Sequence, residues 1–178
     1  MRVIDNTRLP SAVLLPIFYR AGQHHILFTR RSRLVQYHKG EISFPGGGYH
    51  HQDGPLVNTA LRESYDEIGL APGDVEILGE LDDVPTSASN YVITPFVGFY
   101  QAEYKFKPSE FEIAEIIEIP IESLLREGCL REPVIDLGDK TVIPSVYAYQ
   151  NNLITGATAR ILKQFLGIFS QINGLSKI

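Results

Sequence analysis

One cysteine, Cys129, in 178 residues leaves no material for an internal disulfide framework and fits a reducing compartment. Set between Gly128 and Leu130-Arg131, it reads as inert filler rather than as a nucleophile. Basic residues are scarce as well. Sixteen Lys and Arg against twenty-one Asp and Glu give a formal charge of −5, which removes the electrostatic footprint of a protein that wraps nucleic acid. Long apolar runs are missing: Ala12 to Tyr19 is broken by Pro16 and falls well short of the roughly 20 residues that cross a bilayer. Met1 to Pro10 mixes charged and apolar residues and lacks the apolar core, roughly 7–15 residues long, of a secretion signal, so a cytoplasmic, membrane-free protein is expected. Ser176-Lys177-Ile178 differs by one residue from a Ser-Lys-Leu peroxisomal address. Three residues match that loosely by chance, and the end is read as frayed.

What the chain does contain is enough apolar material, 44% against 21% charged, for an ordinary core. Its length suits one domain over residues 1–178. Ala12–Tyr19 and His25–Thr29 read as a hairpin around Arg20-Ala21-Gly22-Gln23. Leu34–Ile42 and the glycine-rich Phe44–Gly48 read as loop, and Pro55–Ile68 reads as a helix closed by Gly69. Val75–Leu81, Tyr91–Tyr100, Glu115–Ile119 and Val142–Tyr149 are expected strands. Asp82–Asn90, with Pro85-Thr86-Ser87, is an expected turn region. Ile121–Arg126 should form a turn or two of helix and Ala157–Ile172 a closing helix. There is no internal repeat. This order implies an α+β fold, a mixed sheet sandwiched between helices.

The helix at Pro55–Ile68 carries the chemistry. A wheel of 100° per residue assigns Val57, Ala60, Leu61, Ser64, Tyr65 and Ile68 to the core side and gathers Glu63, Asp66 and Glu67 on the other. Like charges so spaced cost a helix a few tenths of a kcal/mol, ~0.2–0.5 per pair, and a divalent cation reverses that sign. An acidic triplet alone is more often a solvated helix face. The glycine-rich Phe44–Gly48 segment leading to this helix changes the weighting, because bare backbone lets a metal or phosphate approach closely.

These residues resemble the Nudix hydrolase family. Gly48 opens that family's signature, and Arg62-Glu63-Ser64-Tyr65-Asp66-Glu67-Ile68-Gly69-Leu70 closes it at the family's spacing. Gly54 stands where the family has its first Glu, with Asp53 one place earlier, and Asp66 replaces the first of the paired glutamates. Upstream, Leu27-Phe28-Thr29-Arg30-Arg31-Ser32, Gly40 and Phe44-Pro45-Gly46-Gly47 resemble the motif of the coenzyme A pyrophosphatase subgroup, with Gln36 in place of an arginine. Fainter likeness extends to Leu81-Asp82-Asp83, Thr94-Pro95-Phe96 and Gly156–Arg160.

The resemblance implies a Nudix-type α/β/α sandwich and a hydrolase using Mg2+ or Mn2+ on a small nucleoside diphosphate-linked substrate. Glu63 and Glu67 would be principal metal ligands, Asp66 a third acting directly or through water, and the Gly47 or Gly48 carbonyl a further oxygen. The base could be Glu67, Glu63, Glu112 or Glu115. Arg31 would meet substrate phosphate, backed by Arg30 and Arg33, beside Gly46 and Gly47, and Arg62 would pin a carboxylate. His38, His50 and His51 lack partners at zinc-ligand spacing and are read as solvent-facing. Coenzyme A or a derivative is the first expected substrate, ADP-ribose or a nucleoside triphosphate the second. A non-catalytic phosphate-binding module is the third reading, and pairing into a homodimer is compatible with the family.

Overall fold

The computed structural model of the chain describes residues 7–86, 89–136, 138 and 141–174. Ser87 of the expected turn and the Ser176–Ile178 end lie outside the described residues. The expected hairpin is present as β1 (Leu9–Arg20) and β2 (Gln23–Arg31). Ala21 and Gly22 both carry positive φ, 52° and 84°, the pairing that matches a two-residue turn to the twist of its flanking strands. Only Ile17–Arg20 of β1 pair with β2. Ahead of them, Ser11–Val13 pair with β4 (Gly46–Gly48), while β3 (Ile42–Ser43) pairs with Thr29 and Arg30 of β2. Residues 42–48 are thus wedged between two strands that part company.

This corrects the expectation of an irregular Phe44–Gly48 loop. Gly46 leaves no room for a side chain against β1, since a Cβ there would collide with the Ala12 carbonyl oxygen and Val13, while Gly47 gives its space to Glu63. Pro45, which has no N–H to offer a ladder, still contributes its carbonyl to Leu14 N–H at 2.9 Å.

Four further strands complete the main sheet: β5 (Val75–Glu80), β6 (Val84–Pro85), β7 (Tyr91–Tyr100) and β8 (Ile113–Pro120). β7 runs parallel to β1 from Leu9↔Tyr91 to Ile17↔Phe99, and β5 and β6 share the far edge of β7. β8 lies antiparallel along β2. The sheet is mixed, with eight strands. The central strand β1 is buried on both faces, so its sequence reads as a near-continuous apolar run.

Alternate residues of these strands feed two cores. Ala12, Leu14, Phe18, Leu27, Phe96 and Tyr100 pack with Ala60 and Ile68 of α1 (Leu56–Ile68). Leu15, Ile17, Ile26, Phe28 and Val97 pack with α2 (Ile121–Leu124) and α3 (Gly156–Ile172). One helix on one face and two on the other make the expected sandwich. α3 has no side-chain hydrogen bond at its N-cap, Thr155. Burial of Ile161, Leu162, Phe165 and Leu166, at roughly 1.5–3 kcal/mol each, outweighs the ~1 kcal/mol that a cap contributes. α1 stops where expected: Gly69 takes the left-handed conformation at φ 72° and its N–H reaches the Tyr65 carbonyl at 2.8 Å.

The expected Val142–Tyr149 strand is two strands, β11 (Thr141–Val142) and β12 (Val146–Tyr149), parted at Pro144. β12 pairs with β9 (Leu130–Arg131) and β13 (Asn152–Ile154), a small sheet too short in each segment to declare itself by periodicity. β10 (Ile135–Asp136) pairs with β11.

The wedge makes a prediction. Gly46→Ala forces a methyl into the β1 backbone and should destabilise the protein by about 2–4 kcal/mol, read as a fall in Tm of several degrees. An unchanged Tm would mean that β4 does not lie against β1 as described.

Candidate active site

Helix α1 departs from the expected wheel at the residue that matters most. Glu67 is seven positions after Ala60, so it lies within about 20° of it on a helix of 100° per residue. Glu67 is accordingly buried, 3% exposed, in line with Ala60 and Ser64, while Tyr65, expected in the core, is 56% exposed. The acids therefore do not share one spot: Glu67 turns inward, Glu63 stands at the margin and Asp66 turns outward.

What meets the two inner acids is the glycine strand. Gly46 N–H donates to Glu67 Oε2 at 3.3 Å. A Cβ on Gly47 would come within 2.6 Å of Glu63 Oε1, so the second glycine makes room for that carboxylate. The Glu67 carboxyl is pushed up to about 8, chiefly by burial; the Arg31 guanidinium opposes this, Glu63 adds to it, the Gly46 N–H opposes it and Glu112 adds to it. Arg31 Nη1 stands 3.8 Å from Glu67 Oε1, and its Nε is buried with no hydrogen-bond partner among the described residues.

Arg62 ties the neighbourhood together. It donates to Asp53 through Nε at 2.8 Å and Nη2 at 3.1 Å, to Glu63 Oε1 through Nη1 at 2.7 Å, and to the Gly48 carbonyl through Nη2 at 3.1 Å. Its Nη1 also lies 3.6 Å from Asp66 Oδ2, whose side chain is 56% exposed. Asp53 in turn accepts from Thr59 Oγ1 and from the His50 N–H. Those donors, Arg62 first, hold the Asp53 carboxyl well below the usual carboxylate range against the opposing effect of burial. The signal for Asp53 was legible: an acid stands one place before the glycine that interrupts the signature. Its partner was not, because side-chain direction is not written in spacing.

The remaining candidates divide. Glu112 is close enough to raise Glu67, whereas Glu115 pairs with Arg30 at 2.9 Å, and Arg30 also reaches Asn152 in the small sheet beyond. Arg30 therefore does not stand behind Arg31; strand alternation sends it to the other face. Arg33, His50 and His51 are exposed. His38 is exposed too, with 48% of its side chain accessible. It lines a cleft of about 430 Å³ with Ser11, Gly48, Tyr91, Thr155 and Thr158. Of these only Gly48 and the start of α3 carried any sequence signal; Ser11 and Tyr91 come from adjacent strands far apart in the chain. Among the described residues no three His, Cys, Asp or Glu side chains are gathered tightly enough to hold a metal ion as they stand. No helix among them is long and apolar enough to cross a membrane.

Comparison with known proteins bears on this arrangement. The NUDIX domain profile matches residues 8–134. A Nudix hydrolase designated NudL from Pectobacterium atrosepticum, itself uncharacterized, is 35% identical over 156 residues, covering 86% of this chain and 79% of that protein. NudL of Citrobacter koseri, likewise uncharacterized, is 33% identical over 159 residues, 88% of this chain and 81% of the relative. Among solved structures, a MutT/nudix family protein from Enterococcus faecalis is similar in fold at a TM-score of 0.64 and 15% identity, over 93% of this chain and 64% of that one. This chain thus spans slightly less than two thirds of that protein.

Two predictions follow from the charges. Because the folded-state pKa of Asp53 is depressed, its contribution is present above its unfolded value, about 3.9, and fades as pH falls through the folded one. Asp53→Asn should cost about 2 kcal/mol at pH 7, and urea unfolding should show the gap to the parent narrowing below about pH 4. Glu67 has the opposite sign. Its pKa is raised, so stability is fully present below about 4.3 and is lost as pH climbs through about 8. Without metal, Glu67→Gln should therefore raise Tm at pH 9 by several degrees and leave it nearly unchanged at pH 4; a uniform shift at both would contradict the burial of that charge.

Proposed function

The chain belongs to the Nudix hydrolase family, and from that premise we propose that it cleaves the diphosphate bridge of coenzyme A or a derivative, giving adenosine 3′,5′-bisphosphate and 4′-phosphopantetheine or its acyl form. Membership makes the protein a pyrophosphohydrolase; the substrate is the proposal. The observation that carries it is the placement of the motif between Leu27 and Gly47. This segment forms β2, the following loop and the β3–β4 wedge, which brings Arg31 to Glu67 and lays two glycines against Glu63 and Glu67.

The donor set fits a hard divalent cation. Glu67 is a buried carboxylate whose guanidinium neighbour is too distant for a hydrogen bond, and Glu63 lies beside it against backbone that carries no side chain. We assign Glu63 and Glu67 as the ligands of Mg2+ or Mn2+, with Asp66 acting through water and the Gly48 carbonyl as a further oxygen. When bound, the ion would neutralise the diphosphate and lower the pKa of the attacking water.

The chain's own residues supply the rest. Arg62 holds Glu63 in place and donates to the Gly48 carbonyl. Arg31 contacts the substrate's phosphate oxygens, with the backbone of Gly46 and Gly47 beside it. Water attacks one phosphorus, a new P–O bond forms, the bridging P–O bond breaks, and the second phosphate leaves with its electron pair. Glu112 takes the water's proton, since among the loop acids its charge reaches the site while Glu115 is engaged by Arg30. Most of the rate enhancement comes from alignment and charge neutralisation.

One observation favours a different substrate. Gln36 is exposed in the loop where the subgroup's motif has arginine, and without that guanidinium a bidentate phosphate contact is absent. ADP-ribose or a nucleoside triphosphate is then the alternative. The non-catalytic reading is set aside by family membership together with the presence of Glu63 and Glu67.

Coenzyme A, ADP-ribose and nucleoside triphosphates, each incubated with Mg2+ and with Mn2+ and compared by kcat/KM, decide between these readings. Coenzyme A is expected to lead, with adenosine 3′,5′-bisphosphate as product, and Glu67→Gln is expected to lose roughly a hundredfold or more in kcat. Absence of that product, with ADP-ribose or a triphosphate consumed instead, would overturn the coenzyme A assignment.

A further inference from the structure

Sequence alone gives His38 no role, yet the structure puts it in an unusual position. Its φ is 58°, in the left-handed region that a side chain with a Cβ rarely adopts and that costs on the order of 1 kcal/mol. The surroundings hold it there. The Glu41 N–H bonds to the His38 carbonyl at 3.2 Å, and Gly40, itself at φ 75°, donates its N–H to the Arg31 carbonyl at 3.1 Å. This turn leaves the imidazole half exposed at the rim of the wedge, where it lines the recesses beside Gly46.

Two walls then share the ring. His38 and Glu41 line the cleft that runs along Gly46–Gly48 to Tyr91 and the start of α3. They also line a smaller recess of about 180 Å³ with Arg31, Ser43, Gly46 and Thr158. Arg31 itself leads from that recess to Glu67. His38 therefore stands on the path by which a diphosphate touching Arg31 would continue into the cleft.

The ring is also oriented. His38 Nδ1 lies 3.0 Å from Glu41 Oε2, and a carboxylate there can only accept, so Nδ1 is the protonated nitrogen of that bond. Nε2 has no hydrogen-bond partner among the described residues. In the imidazolium form both ring N–H groups donate, one to Glu41 and the other to an incoming anion.

We propose that His38, turned by Glu41, is a substrate-binding residue that donates Nε2–H to a phosphate oxygen of the nucleotide in the cleft beyond Arg31. This deepens, and rests on, the reading of the same site as one for a diphosphate-linked nucleotide. The left-handed backbone is what places the imidazole there. Glu41 is a positioning residue, since it acts through the ring.

The test separates contact from conformation. Asparagine tolerates the left-handed region, so His38→Asn keeps the turn and removes the imidazole, while Glu41→Gln keeps the turn and weakens the hold on Nδ1. ADP and adenosine are titrated by calorimetry into the metal-free parent and both variants, with Tm recorded as a check on folding. ADP affinity is expected to fall about tenfold in His38→Asn and less in Glu41→Gln, with adenosine affinity and Tm unchanged. With the hydrolysed substrate the same variants should raise KM far more than they lower kcat.

Equal loss of ADP and adenosine affinity, or an unchanged ADP affinity and KM in His38→Asn, would overturn the proposal. If His38→Asn lowers Tm, His38→Gly, which accepts the same φ freely, restores a folded reference for the comparison. Failure of the parent to hydrolyse any diphosphate in the panel would count against the functional reading, whereas the ADP-to-adenosine comparison in metal-free protein tests His38 without turnover.

Discussion

The guanidinium of Arg62 is the contact on which the site's geometry depends. One planar group faces the Asp53 carboxylate, the Glu63 carboxylate and the Gly48 carbonyl, and so fastens the residues before α1, the helix itself and the glycine strand to one another. A lysine could not do this, since its point charge lacks the fixed fork that serves three acceptors in different directions. The donors on Asp53 matter equally. Thr59 Oγ1 and the His50 N–H occupy lone pairs that would otherwise be desolvated, so this pair of charges is hydrogen-bonded on most sides. Glu63 is thereby presented to Gly47 by a neighbour that is itself held.

The second constraint is steric. β1 and β2 pair for four residues and then diverge, and a sheet cannot leave those edges bare in its interior. Residues 42–48 close the gap by hydrogen bonding to both strands. Against β1 that segment admits no side chain at Gly46, and its bare backbone brings a chemical consequence. The backbone that satisfies the sheet meets two carboxylates: the Gly46 N–H bonds Glu67, and Gly47 leaves the volume of a side chain to Glu63. Fold and site share one device, which is why the motif spans a structural wedge and a functional surface at once.

Much of this was legible in the residues. The order of elements, the hairpin turn, the helix and its Gly69 terminus follow from local chemistry, and the α/β/α arrangement follows from strands that are apolar on both faces. Where the structure differs, the reasons are physical. Phe44–Gly48 looked irregular because glycine disfavours strands on average, whereas here the neighbour's proximity decides. The charge pattern groups Glu67 with the other acids, although its position seven residues after Ala60 fixes it inward. Adjacency in sequence suggests that Arg30 backs Arg31, but strand alternation sends them to opposite faces. Ser11 and Tyr91 could not have been found: each reaches the cleft through pairing across about eighty residues, and nothing local marks such a position.

The charge balance explains what kind of selectivity this site can exercise. With a net charge of −5 and an isoelectric point near 5.5, the protein does not attract polyanions over distance, and at physiological salt any such field fades within about 8 Å. Attraction for a diphosphate must therefore be generated locally. Arg31 provides part of it, and that cation is already partly committed to Glu67. Glu63 and Glu67 add negative charge where the substrate's own charge is greatest, which in isolation would repel it. Such a surface is productive only toward a ligand that arrives with, or finds, a compensating cation. The same acids that weaken binding of a bare anion thus confine turnover to substrates able to share a metal with the site, and discrimination falls to short-range contacts along the cleft.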